Sequence, residues 1–200
     1  MNNKTIFKDK ELYIFMTNLL IQRMQRARKS PYRNLVIDVG AGEGEFAEQL
    51  KTRYPGKEII AIDAESISPQ VQRAQMGWYF NVMNEQDAKR LHAIWMNHVN
   101  ITNKDSQREF GALAKKLKPG VPVIITIRKK NLEYVKKTLD AAGLVIKAKR
   151  VLTPELLNGK RAIASNYTQK YVEESRIDSS VQPLRIIAMK PKNGHVTNSP

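Results

Sequence analysis

LVIDVGAGEGEFAEQL, residues 35–50, decides how this chain folds. Leu35–Val39 is a run of strand length, apolar but for Asp38. Gly40, Gly42 and Gly44 follow at alternate positions, and Phe46 and Leu50 then recur at helical spacing with Tyr54. A strand, a glycine turn and a helix in that order build the ligand crevice of an open α/β sheet. The glycines imply that something approaches the backbone closely. The acids beside them, Asp38, Glu43 and Glu45, restrict what that something is. In the dinucleotide fingerprint the third glycine falls where Glu45 stands. Three carboxylates beside a pyrophosphate are electrostatically wrong, and a cationic ligand suits them better.

Outward from this stretch the pattern alternates. Pro55-Gly56 turns the chain into a strand, Glu58–Asp63. A short helix is predicted near Ser68–Gln75 and a strand near Trp78–Met83, with Trp78-Tyr79-Phe80 as core or as a base-stacking surface. His92–Met96 reads as a strand. Ser106-Gln-Arg-Glu109 reads as a capping box opening a helix that faces inward through Phe110, Leu113 and Leu117. Strand Val121–Ile127, a helix through Leu132, Val135 and Leu139 ended by Gly143, strand Val145–Val151 and strand Leu184–Met189 complete the order. This rhythm predicts a mostly parallel sheet with helices on both faces.

Three regions are expected. Residues 1–33 form a basic helical extension, helical over 8–28. Residues 34–190 form the main domain, with a polar insertion at 152–183. Residues 191–200 form a disordered tail. The net charge is +15, with +6 in residues 1–33, +3 in 34–144 and +6 in 145–200. Basic ends around a nearly balanced middle suit a polyanionic partner; solubility is the plainer reading. The chain has no cysteine, so disulfides, thiolate nucleophiles and cysteine-based zinc sites are excluded. A cytoplasmic location is the expectation. No apolar run reaches membrane-spanning length, and no metal site is read.

The stretch around Asp38-Val-Gly-Ala-Gly-Glu-Gly44 resembles motif I of the class I, Rossmann-like S-adenosylmethionine (SAM) dependent methyltransferases. LAKKLKPG, residues 113–120, is similar to the helix end before that family's fifth strand, with Val121 in place of a second glycine. The resemblance covers about residues 34–151. It implies a Rossmann-like doubly wound, mostly parallel seven-stranded sheet with an antiparallel last strand. It also implies SAM as cofactor and S-adenosylhomocysteine as product. By position the resemblance assigns the cofactor to Asp38, Gly40, Ala41, Gly42 and Gly44, and gives the ribose hydroxyls to Asp63 with Ala64 beside it. Asn84–Leu91 resembles the family's later acidic motif, so Asp87 and Ala88 are expected near the adenine. Trp95 is placed with this set, its alternative being the core.

Substrate-facing residues are expected after the fourth strand, in Trp95-Met96-Asn97-His98-Val99-Asn100. No Asp/Asn-Pro-Pro-aromatic motif stands there, which argues against exocyclic amine methylation of bases. Without cysteine, covalent carbon-5 chemistry on pyrimidines is closed. Asn97 stands where ribose 2′-O enzymes need Asp. Asn97 and His98 are the candidate catalytic residues. Histidine as a residue type titrates near neutrality, which suits a base at His98, and closing the strand-to-helix turn is the other reading. The segment from Glu43 to Asp63 resembles tRNA guanine-N7 methyltransferases, whereas Asn97-His98-Val99 resembles small-molecule methyltransferases. RNA is the expected acceptor, with Arg23, Arg26, Arg28, Lys29, Arg33, Arg128, Lys129, Lys130, Lys160 and Arg161 as the phosphate-binding set. A small molecule, a protein, or binding without catalysis are the alternatives.

Overall fold

A computed structural model describes residues 33–97, 101, 104–157 and 166–192. Its strands are β1 (Leu35–Val39), β2 (Glu58–Asp63), β3 (Gln72–Arg73), β4 (Leu91–Asn97), β5 (Pro122–Arg128), β6 (Val145–Val151) and β7 (Pro183–Met189). They form one seven-stranded sheet in the order β3-β2-β1-β4-β5-β7-β6. β3, β2, β1, β4 and β5 run parallel, and β7 is antiparallel to both β5 and β6. The Rossmann-like sheet with an antiparallel last strand is therefore present. Its strand order reverses between β1 and β4, the place where open α/β sheets bind ligands.

Both faces are covered because the central strands carry apolar residues toward each face, interrupted by buried polar groups such as Asp38, Asn97 and Thr126. Along β1, Leu35, Ile37 and Val39 enter the larger core, and Val36 enters the smaller one on the other face. The larger core receives Tyr79 and Phe80 from helix α2 (Met76–Val82), Phe110 and Leu113 from α4 (Lys104–Lys116), and Val135 and Leu139 from α5 (Leu132–Ala141). The smaller core receives Phe46 and Leu50 from α1 (Glu45–Arg53), packed with Tyr54 against Trp95. Helix α3 (Glu85–Arg90) leads directly into β4.

Three local expectations are corrected. Ser68–Gln75 is not a helix: Gln72 and Arg73 are extended and pair with Ile62 and Asp63. Serine side chains hold the preceding loop open, Ser66 Oγ accepting from the Ser68 N–H at 3.1 Å. Trp78–Met83 is helix α2, not a strand. Met76, Tyr79, Phe80 and Met83 are buried at i, i+3, i+4 and i+7, so helical period outweighs the strand preference of aromatic residues. The capping box does not open α4, which starts earlier at Lys104 and holds Ser106 buried inside. Glu109 instead turns toward α2 and accepts from the Gly77 N–H. A methyl group at Gly77 would meet the Glu109 Cγ at 3.0 Å, so the two helices lie close.

The polar insertion contains α6 (Pro154–Leu157), α7 (Asn166–Glu174) and a 3₁₀ turn, Ser179–Val181. Among the described residues no helix is long and apolar enough to cross a membrane. The expected helix at 8–28 and the tail residues 193–200 lie outside the described residues.

Candidate active site

The glycine turn is stitched to the end of β2. The N–H groups of Gly40 and Ala41 donate to the Ile62 carbonyl at 2.9 and 3.2 Å. Gly42 N–H donates to Asp63 Oδ2 at 3.0 Å. Asp63 Oδ1 accepts from the N–H groups of Glu65 at 2.8 Å and Ser66 at 3.2 Å. Asp63 is thus held by three backbone donors, and as a half-buried residue whose carboxylate oxygens can each accept more than one hydrogen bond it has lone pairs to spare. Gly42 and Gly44 have φ of 55° and 92°, left-handed values that favour glycine. Their surroundings differ. A methyl group at Gly44 would lie 3.1 Å from Val71 Cγ2, whereas one at Gly42 would meet nothing within 4 Å.

Asp38 sits in β1 beside this turn and is 1% exposed. Its Oδ2 has no hydrogen-bond partner. Burial, reinforced by the charge of Asp63, pushes its carboxyl up to about 8. Asn97 ends β4 at the same edge of the sheet. It is 9% exposed, and neither its Oδ1 nor its Nδ2 has a partner. Unmet polar atoms are rare in a native interior, and these cluster where the strand order reverses. They fit a ligand with both cationic and hydrogen-bonding groups.

The structure therefore brings Asp38, Gly40, Ala41, Gly42, Gly44, Asp63, Ala64 and Asn97 to one edge. It sets Asp87 and Ala88 apart. Asp87 Oδ1 accepts from Arg90 Nη1 at 2.9 Å, Arg90 Nε donates to Asn34 Oδ1 at 2.9 Å, and Arg90 Nη2 pairs with Glu58 Oε2. Asn34 precedes β1 and Glu58 opens β2, so this cluster lies at the opposite edge. The Asn84 side chain caps α3 through the Asp87 N–H, and Ala88 is core. The position beside Asp63 is taken instead by Ala74, whose N–H donates to the Asp63 carbonyl at 2.9 Å, and by exposed Gln75. Trp95 is core: its ring lies 5.6 Å from that of Phe46. His98 lies outside the described residues.

The basic set is divided as well. Lys129 and Lys130 are exposed in a 3₁₀ turn following Arg128, at the crevice edge. Arg33 stands before β1, its carbonyl accepting from Lys57 Nζ at 2.6 Å, at the far edge. Arg23, Arg26, Arg28, Lys29, Lys160 and Arg161 lie outside the described residues. Sequence reasoning missed Thr126, Arg150 and Arg185, which share a sheet face with Asn97; nothing in the linear pattern places them together.

A family model described as a methyltransferase domain matches residues 13–156. No curated protein matches the chain. A SAM dependent methyltransferase from Archaeoglobus fulgidus is 18% identical at a TM-score of 0.53, over 90% of this chain and 99% of that one. Geranyl diphosphate C-methyltransferase from Streptomyces coelicolor A3(2) is 14% identical at a TM-score of 0.51, over 94% and 86%. The 16S rRNA methyltransferase KamB is 13% identical at a TM-score of 0.52, over 86% and 93%. At these identities the solved structures share the fold.

Proposed function

The chain belongs to the class I SAM-dependent methyltransferase family, and we propose that its methyl acceptor is a nucleic acid, RNA in particular. The observation that carries this is a charge division along one sheet edge. Asp38 and Asp63 stand beside the glycine turn, and exposed Lys129 and Lys130 stand after β5, in a chain of net charge +15. A fold shared with a 16S rRNA methyltransferase admits such an acceptor.

In this reading the glycine turn and Asp38 receive the cationic end of SAM. Asp63 accepts the ribose hydroxyls, and Ala64, Ala74 and Gln75 border the adenine. The sulfonium supplies a methyl group already activated toward nucleophiles. The protein's part is chiefly alignment. Asn97 Oδ1 accepts a hydrogen bond from the acceptor N–H or O–H and fixes its approach. His98, next in the chain, is proposed as the base. Lys129 and Lys130 bind phosphates and set the register of the acceptor.

The test is transfer of a labelled methyl group from SAM to total cellular RNA, with Asp38→Ala as control. RNase-sensitive label that disappears in the control, with RNA affinity falling steeply as salt rises, is expected. Absence of label on RNA in a preparation that binds SAM would redirect the assignment to a small-molecule or protein acceptor.

A further inference from the structure

We infer that the sheet face beside Asn97 is a seat for an oxyanion of the methyl acceptor, built by Arg128, Arg185 and Arg150. In register, Asn97 lies opposite Thr126, Thr126 opposite Arg185, and Arg185 opposite Arg150. Side chains at paired positions leave the same face of a sheet. These four residues therefore form one polar row across β4, β5, β7 and β6. Arg128 follows Thr126 by two residues and leaves the same face. The row contains no acid.

Aromatic rings and a buried hydroxyl orient the guanidinium groups. Arg185 lies over the Trp95 ring, 5.3 Å from its centroid, and its Nε reaches Thr126 Oγ1 at 3.4 Å. Arg128 lies over the Tyr171 ring at 4.3 Å and bonds its hydroxyl. Stacked, pre-oriented guanidinium forks match the geometry of phosphate and carboxylate. Asn97, buried with both amide atoms unpartnered, joins this row to the crevice. Carboxylates thus line the β1 and β2 side of the edge, where the cationic donor belongs. Arginines line the β5, β7 and β6 side, where the acceptor remains to be placed.

The inference deepens the proposed function and rests on a methyl acceptor binding at this edge. With RNA the oxyanion is a backbone phosphate; with a small acceptor it is that molecule's own phosphate or carboxylate.

The chain has two tryptophans, so Trp78→Phe leaves Trp95 as the sole indole, directly beneath Arg185. Emission of that protein is followed while inorganic phosphate, and separately an oligouridylate, is added against chloride at matched ionic strength. A saturable change is expected. It should weaken by roughly tenfold or more in Arg185→Gln and Arg150→Gln, the loss of one charge-assisted bond. Arg185→Lys should show an intermediate loss, and SAM binding should persist throughout. If the glutamine variants do not fold, Arg185→Lys and the rim variant Arg128→Gln carry the comparison. No saturable change, or an unaltered one in the variants, overturns the seat. RNA methylation without a Trp95 response removes the seat and leaves the RNA assignment standing. A phosphate response without RNA methylation keeps the seat and assigns it to a small anionic acceptor.

Discussion

Replacing Asp38 by Asn should stabilise the ligand-free protein while disabling it. In the folded chain the carboxyl is raised from 3.8 to about 8 by burial and by Asp63. Near pH 7 the folded state therefore keeps a proton that the unfolded state has released. Stability falls as pH rises wherever the folded state binds more protons. The penalty is absent below about pH 4 and grows through neutrality until about pH 8. Each pH unit of that interval corresponds to about 1.4 kcal/mol, so the cost near pH 7 is on the order of 4 kcal/mol. Asn cannot titrate and should recover much of this.

Denaturant unfolding of both proteins at several pH values measures the effect. The gain for Asp38→Asn should be small near pH 4 and should widen toward pH 8. SAM should reverse the ranking, because its cationic groups call for the carboxylate. In the parent protein SAM affinity should rise with pH through about 8, and in the variant it should be low and flat. Parallel stability curves for the two proteins would refute the reasoning, since they would mean that Asp38 is ionised at neutral pH when ligand-free.

Gly44→Ala should lose about 1–2 kcal/mol of stability, from its left-handed backbone and the Val71 contact. Gly42→Ala should cost less stability but weaken SAM binding at least about tenfold, because it adds a methyl group to the turn bonded to Asp63, where the cofactor is proposed to lie; calorimetric titration separates the two. His92 is buried near Lys57 and Arg33, and burial is the larger cause lowering its pKa from 6.5 to about 4. Its neutral form gives full stability above about pH 6.5, lost as pH falls toward 4, and His92→Gln should flatten that arm of a Tm-versus-pH curve. Asp87→Ala should loosen the Arg90 cluster by about 1 kcal/mol and leave SAM affinity unchanged; a large loss of affinity would return Asp87 to the cofactor site.

Where the chain was legible, local physics and tertiary structure agree. Leu35–Val39 is apolar except for Asp38 because β1 is buried on both faces. The glycine turn after it is legible because left-handed backbone and close approach restrict those positions strongly. Asp63 is legible as the last residue of β2, and the structure places it against the glycine turn. Where reading failed, a local preference was overruled. Trp78-Tyr79-Phe80 has strand-forming residues but is wrapped into α2 by its burial against α4. Asp87 follows the expected acidic pattern, yet α3 places it at the other end of the sheet.

The sequence by itself thus determined the sheet class, the crevice and the charge of the ligand it welcomes, because these follow from short-range patterns of burial, turn geometry and sign. Only the tertiary structure decided which distant residues share that edge. Asn97, Thr126, Arg185 and Arg150 are adjacent through strand register, and β7 enters the sheet between β5 and β6 out of chain order. No local interaction encodes that adjacency; it results from pairing strands that lie far apart in the chain.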